Sequence, residues 1–266
     1  MRHIGAALLI LNACAPTGDA QDAATTDAQS AATADAQSAA TIDAQDATTV
    51  EAHDKVRGLI SLPQVFGTEP CETFTPIDVT LYANTDSSAV IGRISVERPW
   101  TISPSGGCEG LSVKVHLTGA DSAAELPTLE YSYETPAAVV LQRKGPWFKI
   151  RLAEQSGWIR ATAQNQFFSL EELLAENLTY VANADGGGLA AAPGTERSAA
   201  TNLLSAERHV KVLENRAVGE QLWLRVAVQS HSVCEGVEEP TTLAEGWVPA
   251  HSATGEPTVW FYSRGC

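Results

Sequence analysis

The chain contains Gly145-Pro-Trp-Phe-Lys-Ile-Arg-Leu152 and, three residues later, Ser156-Gly-Trp-Ile-Arg-Ala161. Apolar and polar residues alternate in both stretches, and Gly, Pro and Ser mark their ends. Alternation with period two places successive side chains on opposite faces of a strand, and β-branched and aromatic residues suit that pleated surface. Ala138-Val-Val-Leu-Gln142 precedes them and reads as a further alternating strand ending in a polar turn. The same order recurs as His209-Val-Lys-Val-Leu-Glu214, Leu222-Trp-Leu-Arg-Val-Ala-Val228 and Glu245-Gly-Trp-Val-Pro-Ala250. Each set runs from a strand to a Trp-apolar-[Lys/Arg]-[Ile/Val] strand, a connection and a Gly-Trp-[Ile/Val] step.

Other runs extend the all-β reading. Val79-Thr-Leu-Tyr-Ala83 alternates, and Gly, Pro, Asn and Asp punctuate the intervals. Helix signals are scarce. The best is residues 170–177, which Ser169 and Glu172 open as a capping box, with a hydroxyl and a carboxylate serving orphan N–H groups reciprocally.

These motifs resemble the bacterial SH3 (SH3b) family, whose signature is a W-x-[KR]-V strand followed by G-W-V. Thr80-Leu-Tyr82-Ala-Asn84 and Val90-Ile-Gly-Arg-Ile94 look like that family's opening strand and the return strand after its first long loop. Leu178-Thr-Tyr180-Val-Ala-Asn183 is a fainter counterpart in the second half. The resemblance implies two SH3-like barrels, residues 55–166 and 167–266. Two insertions depart from the family pattern, residues 99–135 in the first copy and 229–244 in the second. Tryptophans at the Gly-Trp step of SH3-like barrels often lie at the rim of the ligand groove, so the resemblance marks Trp158 and Trp247 as core or groove residues. Tyr82 and Tyr180 are expected to line the same groove. Aromatic faces of this kind stack on sugars or peptides. Trp147 and Trp223, in mid-strand, are expected in the core.

Four cysteines, Cys71, Cys108, Cys234 and Cys266, fall two in each half. An even number in an exported chain predicts disulfides. Of the three connectivities, Cys71–Cys108 with Cys234–Cys266 is favoured, because domains tend to close their own bridges. Each bridge then staples an insertion, with about 3–4 kcal/mol from loop closure in the chain-entropy model. A zinc site needs close pairs such as C-x₂-C, which the chain lacks.

The fifth cysteine, Cys14, ends an apolar run over residues 4–11 that Arg2 precedes. Leu11-Asn-Ala-Cys14 resembles the lipobox of a bacterial lipoprotein signal. The resemblance implies a signal peptide over residues 1–13, acylation of Cys14 and a membrane anchor. Ala15, where an Asp is absent, implies sorting to the outer membrane, facing the periplasm or exposed at the surface. The run is far shorter than the roughly 20 residues of a spanning helix.

Residues 14–54 follow as a tether. Asp19, Asp27, Asp35, Asp43 and Glu51 each open a near-copy of one octad, from DAQDAATT to DAQDATTV. Its composition buries too little apolar surface to offset chain entropy, so the segment is expected to be disordered. Such a coil averages roughly 35 Å end to end.

The net charge is −15, and removing the tether's eight acidic residues and Arg2 leaves −8 for residues 55–266. That balance excludes the basic footprint of a nucleic-acid binder or a polybasic membrane-surface module. There is no nucleophile elbow, H-E-x-x-H, Walker loop or dinucleotide fingerprint, so no catalytic or metal residue and no cofactor is assigned. The sequence thus predicts a lipid-anchored envelope protein that binds peptidoglycan or an envelope protein and is not an enzyme. The alternative is an acidic inhibitor or immunity-type lipoprotein that blocks a cationic envelope hydrolase. The acidic loop at Glu235, Glu238 and Glu239 reads as a solvated surface or as a face for a cation or partner.

Overall fold

The structure, a computed structural model, describes residues 54–67, 73–98, 101–102, 108–185, 187–198, 202–235 and 238–265. The signal segment with Cys14, the octad tether up to residue 53, Cys71 and Cys266 lie outside the described residues. The described residues belong to one compact unit.

The fold is mostly β-sheet. In chain order come β1 (Gly58–Ser61), the single-turn helix α1 (Pro63–Phe66), β2 (Val79–Tyr82), β3 (Val90–Arg98), β4 (Thr101–Ile102) and β5 (Cys108–Glu109). Next are β6 (Ser112–Leu117), β7 (Ala124–Glu125), β8 (Thr128–Ser132), β9 (Thr135–Lys144), β10 (Trp147–Arg151), β11 (Ser156–Arg160) and β12 (Phe167–Ser169). Helix α2 (Leu170–Glu176) leads into β13 (Thr179–Val181), β14 (His209–Val218), β15 (Gln221–Gln229), β16 (Thr242–Pro249) and β17 (Val259–Phe261). No helix among the described residues is long and apolar enough to cross a membrane.

Among the described residues, one sheet runs β12-β1-β9-β10-β11-β2-β3-β6-β7, with β8 paired along β9. A second runs β16-β15-β14-β13-β17, and β4 pairs with β5. The first insertion therefore joins the sheet through β6, β7 and β8. β6 pairs along most of the return strand β3, from Gly92 opposite Leu117 to Arg98 opposite Ser112.

β9 explains why both halves belong to one unit. Ala137 to Leu141 are all buried, so this run is covered on both faces rather than alternating. Ala137, Val139 and Leu141 pack with Leu59 of β1, Leu173 and Leu174 of α2, and Leu224, Val226 and Val248 of the second sheet. Ala138 and Val140 pack the other way, with Ile60, Leu81, Ile94, Phe148, Ile150 and Ile159. One strand is thus a wall between two apolar cores. Its pairing with β1, from Gly58 opposite Val140 to Ser61 opposite Ala137, brings β12 into the same ladder.

α2 forms where its cap predicts. The Ser169 hydroxyl accepts from the Glu172 N–H at 3.2 Å, and the Glu172 carboxylate accepts from the Ser169 N–H at 2.8 Å. Leu170, Leu173 and Leu174 then fall on one face at helical spacing and enter the core shared with β9.

The repeated strand unit folds twice in the same way. β9-β10-β11 and β14-β15-β16 are both antiparallel meanders. Trp147 lies opposite Lys144 and Arg160, and Trp223 opposite Arg216 and Pro249. Lys149 lies opposite Trp158, and Arg225 opposite Trp247. The first two strands of each meander break register once, skipping Leu141 between Gln142 and Val140, and Leu213 between Glu214 and Val212; the second meander shifts again between Val228 and Gln229. An extra residue at the same place in both copies is a shared bulge that turns the two strands alike. The hairpins differ in length. Trp147 directly follows the turn at Gly145 (φ 58°), whereas the turn at Gly219 (φ 59°) lies two pairs beyond Trp223.

Candidate functional site

The alternation of β10 and β11 sends Phe148, Ile150 and Ile159 into the core. Trp147, Lys149, Trp158 and Arg160 must therefore face away from it. Trp147, expected in the core, is half-buried on this outer face. Trp158 pairs with Lys149 on one side and with Tyr82 of β2 on the other. The Tyr82 ring meets Trp147 edge to face, with centroids 5.1 Å apart at 88°. Tyr82, Trp147 and Trp158 thus form a half-buried aromatic surface spanning three strands.

Cations border it. The Arg160 guanidinium lies 6.0 Å from the Trp147 ring centroid, a cation–π distance. Lys149 pairs with Asp54, and Arg151 pairs with Glu256. The surface therefore offers ring faces for stacking and charged edges for polar groups, within a chain that is acidic overall.

The second copy closes the equivalent place. Trp247 exchanges two backbone hydrogen bonds with Ala190, each 2.8 Å. Ala190 also bridges to Arg197, so residues 187–198 double back beside β16. The chain there is pinned by Asp185, whose two oxygens accept from the Arg197 guanidinium at 2.7 and 2.8 Å. That guanidinium holds the Asp185 carboxyl below its ordinary pKa. Ala190, Trp223 and Trp247 form a small cluster, with both indoles only 7% exposed. The Arg216 guanidinium covers Trp247 at 5.2 Å from the ring centroid.

By pairing, Ala190 rather than Tyr180 is the counterpart of Tyr82. Tyr180 instead sits on β13, opposite Trp260 of β17 and His209 of β14. Its ring lies 4.6 Å from that of Tyr262, whose hydroxyl meets His209 Nδ1 at 3.3 Å. Burial, and then the charge of Glu207, push the Tyr180 phenol above its ordinary pKa. So Tyr82 and Trp158 are brought together, while Trp247 and Tyr180 lie apart from each other. Trp147 completes the open surface.

Cys234 is disulfide-bonded. Its favoured partner Cys266, and the partner Cys71 favoured for Cys108, are outside the described residues. Among the described residues no three His, Cys, Asp or Glu side chains converge as metal ligands.

No protein-family model, curated protein or solved structure matches this chain.

Proposed function

We propose that the chain is a lipid-anchored cell-envelope binding protein with SH3b-like domains that recognises peptidoglycan or an envelope protein. Cys14 carries the anchor in the outer membrane, and the octad tether spaces the folded part from it. In this reading the first copy holds the ligand surface. The observation that supports it is the half-buried trio Tyr82, Trp147 and Trp158, set on the outer face of β2, β10 and β11 and bordered by Arg160 and Lys149. Ring faces at this exposure supply contact area at little ordering cost. The second copy keeps the same meander and spends its tryptophans on packing.

Two measurements on the full-length chain test this. Replacing Cys14 with Ser moves the protein from the membrane to the soluble fraction. That soluble chain then co-sediments with purified sacculi and loses the interaction on Trp158→Ala. Retention in the membrane after a salt wash contradicts the anchor. Equal sedimentation with and without Trp158 contradicts the surface.

A further inference from the structure

A cavity of about 510 Å³ lies at the other end of the second sheet, between α2, β14 and the insertion that follows β15. Its size falls within the roughly 300–1,000 Å³ range of ligand clefts. Its floor is apolar: Leu174 of α2, Leu178, and Val210 and Val212 of β14. Val233 lines the insertion side and is 48% exposed.

The insertion is a braced wall. His231 Nδ1 meets the Ser230 hydroxyl at 2.9 Å, and its Nε2 meets the Glu238 carbonyl at 3.2 Å. The Thr241 N–H donates to the Ser230 hydroxyl at 3.0 Å, and the Cys234 N–H donates to the Ser232 hydroxyl at 3.1 Å. His209, which lines the cavity, has its Nε2 3.7 Å from a Glu235 carboxylate oxygen.

Charge decides what fits. Glu238 and Glu239 line the rim, Glu235 stands beside it, and Lys211 is the single lysine or arginine in the lining. The lining also holds His209 and His231, and Glu238 and Glu239 outnumber Lys211, so an apolar floor beside this pair of carboxylates complements an apolar stem that ends in a cation.

We infer that this cleft binds a basic, apolar segment of a partner protein, whose aliphatic stems rest on Leu178, Val212 and Val233 while its cations meet Glu238 and Glu239. The site is separate from the aromatic surface of the first copy, and it gives one anchored chain two different partners.

The test uses the full chain with Cys14→Ser and two probe peptides, Ac-Leu-Lys-Leu-Lys-Leu-NH₂ and Ac-Leu-Glu-Leu-Glu-Leu-NH₂, followed by calorimetry. The lysine peptide binds saturably and at least about tenfold more tightly than the glutamate peptide, because like charges at a rim disfavour the wrong partner. The double variant Glu238→Gln/Glu239→Gln loses that preference. Val233→Lys, at an exposed position that leaves the core intact, abolishes binding of the lysine peptide. Equal affinity for both peptides, no saturable binding, or unchanged affinity in both variants overturns the proposal. Sacculus binding by the same samples reports on the first-copy surface, so the two readings fail separately.

Discussion

Trp158 and Trp247 hold the same place in two copies of one meander, yet Trp158 pairs with Tyr82 while Trp247 pairs with Ala190. In the first copy a large ring stands beside the tryptophan, and the surface stays open. In the second, a methyl group stands there, and the segment at 187–198 closes against the indoles. One pattern therefore leaves an open aromatic face in one half and a packed cluster in the other.

The tryptophans should separate by stability. Trp223→Ala and Trp247→Ala remove buried indoles from a packed cluster and are each expected to lose about 3–5 kcal/mol. Trp158→Ala, from a half-buried outer position, should lose much less. Denaturant melts of the three variants check this. A Trp158→Ala loss as large as that of Trp247→Ala makes the first-copy ring a structural element.

The glycines preceding these tryptophans give a finer contrast. A Cβ on Gly246 would stand 2.6 Å from Leu189 Cβ and 3.0 Å from the Ala190 carbonyl oxygen, both fixed by the pairing with Trp247. On Gly157 the nearest atom is a Leu81 methyl, the end of a side chain rather than backbone, at 3.2 Å. Gly246→Ala is expected to destabilise by about 1–3 kcal/mol, the usual range for overpacking, and Gly157→Ala by clearly less. Equal melting of the two variants contradicts the close approach of residues 189–190 to β16.

Much of this was legible in the chain. The strands around Trp147 and Trp223 follow from alternation, and α2 from its cap, because both signals are local. The two-faced burial of β9 was not read, since five consecutive apolar residues do not say what packs on the second face. Nor was Ala190, because Leu189-Ala-Ala-Ala-Pro193 carries no aromatic to align with Tyr82. Tyr180 carries an aromatic, but on β13, three strands away from Trp247 on β16. The cleft was illegible for a different reason: its floor and wall come from Leu174, Val212 and Val233, which only tertiary pairing assembles.

His251 should make stability fall in mild acid. Its ring is buried, and burial holds its pKa below the ordinary value of 6.5; Nε2–H donates to the Val56 carbonyl at 2.6 Å. A depressed pKa means that the unfolded chain binds the proton first. This contribution is complete above the unfolded value and is lost as pH falls through it towards the folded one. Denaturant midpoints measured between about pH 7.5 and pH 5 should decline. His251→Gln should flatten that part of the profile. An unchanged slope in the variant contradicts a neutral, buried His251.

Asp185 should act lower on the scale. Its carboxyl is held down by Arg197, so its stabilisation is present above the ordinary carboxylate range and disappears as pH falls through and below it. Asp185→Asn is expected to remove part of the acid sensitivity below about pH 4. It should also loosen residues 187–198, read as faster hydrogen exchange at the Ala190 N–H. Unaltered protection there shows that the ion pair does not pin the segment.

The most direct test of the central claim compares sacculus co-sedimentation of the soluble Cys14→Ser chain with that of its Tyr82→Ala, Trp158→Ala and Ala190→Ser derivatives. The first-copy surface predicts that Tyr82→Ala and Trp158→Ala each lose most of the sedimented fraction while keeping a cooperative melt. Ala190→Ser, in the closed copy, should bind like the parent. Parent-like sedimentation of both aromatic variants would contradict the account.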